Sequence, residues 1–212
     1  MKNPSKKTVI FDFDGTLVDS MNDFADIAAE VMFEYFGLDR NAGKQCYLET
    51  SGAPFHEQLE VIFPQHAKNK DAATAFEERK KVTYFDRPLF TDTKETIENL
   101  RAQGIKTVIS SNNFQDLVDQ FVQKAGVTFD LVLGYKPNFA KGEAQFQHIS
   151  QFFQVARGDM LFVGDSLHDA EHAKRSGVDF VGKLGTFKRE QFKNAFPDYQ
   201  TIENLSELKK FL

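Results

Sequence analysis

The sequence predicts an α/β protein with a three-layer core, built on a mostly parallel sheet, and an inserted all-helical cap sub-domain. Three observations support this fold class. An apolar strand, Thr8–Phe13, comes first, and residues 18–87 then show helical patterns without a convincing strand. From residue 94 onward, helical and strand patterns alternate. Such alternation is typical of a parallel sheet covered by helices on both faces.

The first strand ends in two aspartates, Asp12 and Asp14. Side chains two residues apart on a strand point the same way, so these carboxylates converge while Phe11 and Phe13 face the opposite side. Like charges at this separation repel each other. A divalent cation would remove the conflict, because Mg2+ prefers carboxylate and carbonyl oxygens. Gly15 then provides a turn.

The predicted cap consists of three helices. Ser20 is placed to cap the first, which ends at Gly37; Pro54 starts the second, and the third covers about 71–85. The predicted boundaries give a core domain of residues 1–17 and 88–212 and a cap of residues 18–87. In the core, helices are predicted over 94–103, 114–125, 142–153, 169–176 and 203–212, and strands over 105–110, 129–133, 160–163 and 178–181.

Polar residues follow each of the first four predicted core strands. They are Asp12 and Asp14, then Ser110, Ser111, Asn112 and Asn113, then Lys136 and Lys141, and finally Asp165 and Asp169. In open α/β sheets, ligands bind beyond the carboxyl ends of the strands. These acids, hydroxyls and lysines are therefore expected to converge at one edge of the sheet.

This set resembles the haloacid dehalogenase superfamily of hydrolases over essentially the whole chain. The four motifs appear in order as Asp12-Phe-Asp-Gly-Thr16, Ser111-Asn112, Lys141 and Gly164-Asp-Ser-Leu-His-Asp169. The resemblance is to the phosphoglycolate phosphatase-like and beta-phosphoglucomutase-like members, whose helical cap is inserted after the first motif. It implies a Rossmann-like core and a Mg2+-dependent phosphatase that acts on a small phosphorylated metabolite.

The resemblance also implies roles for individual residues. Asp12 would be the nucleophile that forms an aspartyl phosphate, and Asp14 the general acid and then base. Mg2+ would be held by the Asp12 carboxylate, the Asp14 backbone carbonyl and Asp165, with Asp169 steadying this group. The residues implied to bind the phosphate are Gly15, Ser111, Asn112 and Lys141.

Two motif positions have competing residues. Ser110 could replace Ser111, although the following Asn112 favours Ser111. Lys136 precedes a proline, as the motif lysine often does in this family, whereas the spacing to the Asp165 turn favours Lys141.

Substrate choice is expected to lie in the cap. The segment 50–55 resembles the loop that such caps lower over the phosphate, and Glu49, His56 and Gln58 are candidates to face the substrate, with a solvated loop as the alternative. Two other functions remain open on the same motifs. One is a sugar phosphomutase of the beta-phosphoglucomutase type, and the other is a catalytically silent binding protein.

Composition restricts the partners and the compartment. A net charge of -5 provides no electrostatic footprint for nucleic acid. No apolar stretch approaches the length of a membrane span. The single cysteine, Cys46, excludes an internal disulfide and is typical of a reducing compartment. A cytoplasmic monomer or dimer is expected.

Overall fold

The computed structural model describes residues 6–212 and confirms the predicted α/β class. Within those residues, six parallel strands form one sheet in the order β3-β2-β1-β4-β5-β6. The strands are β1 (Thr8–Phe11), β2 (Lys106–Phe114), β3 (Leu131–Tyr135), β4 (Met160–Gly164), β5 (Asp179–Lys183) and β6 (Gln200–Ile202).

The chain folds as two compact units. The first comprises Asp19–Pro88 and contains helices α1 (Met21–Phe36), α2 (Arg40–Glu49), α3 (Phe55–Ile62) and α4 (Asn69–Thr83). The second comprises Leu89–Leu212 and the described residues up to Val18. Its helices are α5 (Thr93–Ala102), α6 (Gln115–Ala125), α7 (Glu143–Phe153), α8 (Leu167–Ser176) and α9 (Arg189–Ala195). No helix in the described part of the chain has the length and apolar character to cross a membrane.

Strand β1 lies between β2 and β4, and all four of its residues are buried. Ile10 of β1 pairs in register with Val108 of β2 on one side and with Phe162 of β4 on the other. Successive strands add outward to one edge from β1 to β3 and to the other edge from β4 to β6. The strand order therefore reverses beside β1, and such reversal points form the ligand-binding crevice in open α/β sheets.

Phenylalanine supplies much of the packing between the sheet and its helices. Phe146 of α7, Phe162 of β4, Phe180 of β5 and Phe192 of α9 belong to one buried cluster. The Phe146 and Phe162 rings meet edge to face with centroids 5.1 Å apart, a favourable arrangement for aromatic pairs. This cluster holds the helices that carry polar site residues against the strands.

Helix α2 was not predicted from the sequence. It begins after Asp39, whose carboxylate accepts hydrogen bonds from the backbone N–H groups of Asn41 and Ala42 at 2.9 and 3.2 Å. Its packing depends on a missing side chain, because a Cβ atom at Gly43 would lie 3.1 Å from Ala29 Cα of α1. A helix that packs through glycine produces no apolar period for sequence reasoning to detect.

Other local predictions also differ from the structure. Ser20 precedes α1, but its side chain makes no capping hydrogen bond. The short elements α9 and β6 were missed. The predicted helix over 203–212 is a 3-10 helix, Leu205–Lys210. Elements this short span too few residues to show a helical or strand period, so the sequence pattern does not indicate them.

Strand β2 continues past its predicted end at Ser110 and runs to Phe114. Its pairing with β3 is irregular between Ser110 and Phe114. Serine and asparagine weaken a strand pattern, which is why the sequence indicated an earlier end. The candidate phosphate-binding residues Ser111 and Asn112 are consequently part of the strand.

Candidate active site

Asp12 lies directly after β1 at the reversal point of the sheet. Its backbone N–H donates a 2.8 Å hydrogen bond to the carbonyl of Val163 in β4, so the backbone position is set by the neighbouring strand. The carboxylate is buried, with 5% of the residue exposed. The Thr16 hydroxyl donates to Oδ2 at 3.3 Å, while Oδ1 faces a lysine.

That lysine is Lys141, which is buried just before α7. Its Nζ lies 2.8 Å from Asp12 Oδ1 and 2.6 Å from Asp169 Oδ1, so one ammonium joins two carboxylates. The Lys141 backbone N–H donates to Asn112 Oδ1 at 3.0 Å. The alternative motif lysine, Lys136, is exposed. The structure therefore brings Lys141 to the aspartates.

Two further aspartates follow β4. Asp169, on the first turn of α8, accepts hydrogen bonds at Oδ2 from the Ser166 hydroxyl at 2.6 Å and the Ser166 backbone N–H at 3.2 Å. A Cβ atom at Gly164 would lie 2.6 Å from Asp169 Cβ, so glycine is required for this close approach. Asp165 is also buried, and its Oδ2 accepts a hydrogen bond from the Thr186 hydroxyl.

Asp12, Asp165 and Asp169 form a buried acidic cluster. Each offers a carboxylate oxygen, and these three oxygens lie within 4.8 Å of one another. Asp169 contacts Lys141 through Oδ1, and its Oδ2 accepts two hydrogen bonds from Ser166, the shorter at 2.6 Å. Asp12 Oδ2 is held less closely, because the Thr16 hydroxyl lies 3.3 Å from it. Asp12 and Asp165 are consequently the better candidates to supply oxygen ligands to a metal.

Burial strongly raises the pKa of two acids in this cluster, Asp12 and Asp165. It raises the pKa of Asp12 well above its usual range, and Lys141 opposes that rise. Burial, followed by the charge of Asp169, raises the pKa of Asp165 to about 7. Burial alone would lower the pKa of Lys141. The charges of Asp12 and Asp169 raise this pKa by more than burial lowers it, so the ammonium stays charged. When all three acids are ionised, their negative charge exceeds the single positive charge of Lys141. Oxygen donors with such an excess of negative charge suit a divalent cation.

Asp14 lies two residues after Asp12 and is partly exposed. The side-chain amide of Asn113 donates a hydrogen bond to Asp14 Oδ2, which orients the carboxylate. Gly15 follows with φ of 80°, a backbone conformation that favours glycine, and its N–H donates to the Val18 carbonyl at 2.8 Å. The turn after β1 thus places two carboxylates with different surroundings.

The serines at the predicted second motif have different partners. Ser110 is fully buried, and its hydroxyl donates to Gln145 Oε1 at 2.6 Å. The Ser111 hydroxyl oxygen accepts from the Asn113 backbone N–H at 3.0 Å. Because accepting a hydrogen bond leaves a hydroxyl its own proton to donate, Ser111 is chemically suited to a phosphoryl oxygen.

Sequence reasoning missed Gln145 on α7, which is completely buried. Its amide nitrogen donates to the carbonyls of Ser111 and Gly134 at 3.3 and 3.1 Å and thereby joins β2, β3 and α7. The signal for this role is that Gln145 is buried, like its neighbour Phe146. The sequence does not reveal that burial. Thr186 was missed as well, because no motif connects it with Asp165.

The loop predicted to face the substrate belongs to the first unit. Gln58 is buried there; its Oε1 accepts from the Thr50 hydroxyl and its Nε2 donates to the Ala53 carbonyl, both at 2.9 Å. Both ends of the amide therefore stabilise the loop itself. His56 is exposed, and Glu49 accepts a 2.8 Å hydrogen bond from Gln45. A role for these residues toward substrate stays a prediction.

Known proteins match this chain over most of its length. Residues 9–183 match the family model described as haloacid dehalogenase-like hydrolase. A phosphoglycolate phosphatase of Neisseria gonorrhoeae is 29% identical over 193 residues, which cover 83% of this chain and 79% of that protein. A phosphoglycolate phosphatase of Aquifex aeolicus is 23% identical over 227 residues, covering 97% and 96% of the two chains.

Solved structures show the same fold. A haloacid dehalogenase-like hydrolase of Streptococcus pneumoniae superimposes with a TM-score of 0.81 and 20% sequence identity. The superposition covers 98% of this chain and 99% of the other. At this identity the likeness shows the fold alone.

Proposed function

Because the chain belongs to the haloacid dehalogenase-like hydrolases, we propose that it is a Mg2+-dependent phosphatase that hydrolyses a small phosphomonoester through an aspartyl phosphate. The observation that carries this proposal is the buried contact of Lys141 with Asp12, at 2.8 Å, beside Asp165 and Asp169. Two relatives are named phosphoglycolate phosphatase, which favours small phosphorylated acids as the substrate class.

The chemical obstacle is charge, since a carboxylate must approach a phosphate anion. Two unit charges about 4 Å apart repel by about 4 kcal/mol at an effective dielectric constant near 20. The Lys141 ammonium, held against Asp12, offsets part of this repulsion. Asp12 would attack phosphorus while the bond from phosphorus to the leaving oxygen breaks, which divides one difficult reaction into two easier steps.

Asp14 would handle the protons in both steps. Its carboxylate is partly exposed and oriented by Asn113, so it can reach a group on the open side of the site. It would first protonate the leaving oxygen, and then remove a proton from the water that hydrolyses the aspartyl phosphate. Different surroundings commonly give two neighbouring carboxylates these different roles.

The residues that would hold Mg2+ are Asp12 and Asp165 through their carboxylates and Asp14 through its backbone carbonyl. When bound, this cation would neutralise charge on the phosphoryl oxygens. Asp169 would act through Lys141 and the start of α8, where Ser166 fixes it in place. The buried cluster of three carboxyl groups beside a single ammonium supports this assignment.

Four residues would form the phosphate site, two of them by binding phosphoryl oxygens directly. The Ser111 hydroxyl and the Lys141 ammonium would supply hydrogen bonds, and Gly15 would leave room for the phosphate beside the turn. Asn112 contributes by holding the Lys141 backbone at 3.0 Å, which links the two phosphate-binding segments. Hydrogen-bond donors fixed in advance are effective where charge develops during phosphoryl transfer.

The direct test is phosphate release from purified protein. We expect hydrolysis of 2-phosphoglycolate and of a generic aryl phosphate with Mg2+, loss of activity with excess EDTA, and recovery when Mg2+ is added back. Activity that persists with chelator would contradict the metal role. A hexose monophosphate supplied with a trace of the bisphosphorylated hexose belongs in the same substrate panel, because isomerised hexose monophosphate in place of free phosphate would instead support a mutase.

The two serines provide an adjacent matched pair of variants. Ser111→Ala is expected to lower kcat/KM by about 100-fold, since it removes a donor to the phosphoryl group. Ser110→Ala is expected to leave kcat/KM nearly unchanged but to lower the free energy of unfolding by about 1–3 kcal/mol, because buried Gln145 loses its donor. Steady-state kinetics and urea unfolding distinguish the two, and the reverse pattern would transfer the motif to Ser110.

A further inference from the structure

We propose that Thr186, in the loop after β5, is a positioning residue for Asp165 that determines how tightly the protein binds Mg2+. The Thr186 hydroxyl donates a hydrogen bond to Asp165 Oδ2. This inference rests on the proposed function, in which Asp165 is a metal ligand. It adds a residue from outside the four motifs, 21 positions after the carboxylate that it contacts.

The loop around Thr186 is held on both sides. Before it, the Leu184 backbone N–H donates to the carbonyl of Ile202 in β6 at 2.8 Å. After it, Phe187 is buried in the aromatic cluster, with its ring centroid 6.2 Å from that of Phe192. Gly185 has a φ of 151°, a conformation that side chains rarely adopt, and this lets the chain turn between the two anchors. The hydroxyl is therefore delivered to Asp165 by packed neighbours.

The contact matters because of what each carboxylate oxygen does. With Oδ2 bonded to the hydroxyl, Asp165 is held against rotation, and Oδ1 is presented as the oxygen for a cation. Mg2+ demands near-ideal octahedral geometry, so it is sensitive to the direction of each ligand. Hydrogen bonds that orient metal ligands commonly contribute 10–100-fold to metal affinity.

The test is Mg2+ titration of the metal-free protein by isothermal calorimetry, with two variants at one position. Thr186→Val keeps the shape of the side chain and removes the hydroxyl, and we expect its Kd for Mg2+ to rise by about 10-fold. Thr186→Ser restores a hydroxyl and should restore the affinity. At saturating Mg2+ we expect the Val variant to regain a kcat close to that of the wild type.

Thr107→Val is the matched control, because Thr107 also donates its hydroxyl to an aspartate. Its partner is Asp130, at 3.1 Å, and the pair lies at the amino ends of β2 and β3, away from Asp165. We expect Thr107→Val to lower the Tm and leave the Kd for Mg2+ unchanged. We expect Thr186→Val to leave the Tm in EDTA unchanged and weaken Mg2+ binding.

The outcomes separate this inference from the proposed function. Equal Mg2+ affinity in the wild type and Thr186→Val would overturn the role of Thr186 and leave the phosphatase proposal intact. A lower Tm in EDTA with unchanged Mg2+ affinity would overturn it equally, since the contact would then be structural only. Absence of Mg2+ binding to the wild type would overturn both the metal assignment and this inference.

Discussion

Asp12→Asn is expected to abolish phosphate release, with a loss of at least about 10,000-fold in kcat. Asparagine keeps the size of the side chain and its place after β1, but its amide cannot form the acyl phosphate. Asp198→Asn, an exposed substitution of the same kind, should retain full activity. Substantial turnover in the Asp12 variant would mean that another residue is the nucleophile.

Asp12→Asn should not destabilise the metal-free protein. Burial raises the pKa of Asp12 in the folded state above its unfolded value. An acid with a raised folded-state pKa destabilises the fold at a pH where it is ionised when unfolded, and that cost grows as pH increases between the two values. A neutral amide removes this cost, although Lys141 then has one acidic partner fewer. We expect urea unfolding in EDTA at pH 7 to give a free energy of unfolding no lower than that of the wild type.

Lys141→Met is expected to damage both stability and activity. The substitution leaves Asp12 and Asp169 buried without the ammonium that contacts both. Breaking a buried ion pair by removing one partner costs about 3–5 kcal/mol. We expect the free energy of unfolding in EDTA to fall by that amount, measured with urea, and kcat/KM to fall by about 100-fold or more with Mg2+ present.

Lys136→Met is the matched control for this experiment, because Lys136 is exposed and follows the same strand, β3. It should leave both the unfolding free energy and kcat/KM at wild-type values. If Lys136→Met lost activity and Lys141→Met kept it, the motif lysine would be Lys136. Loss of stability without loss of activity in Lys141→Met would restrict Lys141 to a structural role.

The fold was predictable where local sequence signals, such as helix-ending glycines and apolar periodicity, agree with the residues that are buried in the structure. Gly37 follows α1 in the left-handed conformation, in agreement with the helix end predicted there, and Gly126 and Gly177 end α6 and α8 in the same way. The alternation of helices and strands produced the correct class because each parallel strand needs a crossover. Prediction failed at α2, where packing uses Gly43, and at β2, where Ser and Asn continue a strand that their propensities would end.

The residues of the candidate site also fall into two groups, those that the sequence predicts and those that it misses. Motif spacing indicated Asp12, Asp14, Asp165 and Asp169, since each lies within a few residues of a strand end. Gln145 and Thr186 carry no such signal, because their partners are distant in sequence. Gln145 spans β2 and β3, and Thr186 reaches Asp165 from the loop after β5.

The sequence alone determined the α/β class and the family resemblance, and it predicted the acids of the candidate site with two alternative lysines, because periodicity and motif spacing are local properties of the chain. Only the tertiary structure decided which of two lysines contacts Asp12, which of two serines is committed to Gln145, and which hydroxyl holds Asp165. Those choices depend on burial and on hydrogen bonds between distant segments. Such contacts form only when the strands of the sheet have been brought side by side, so no local pattern encodes them.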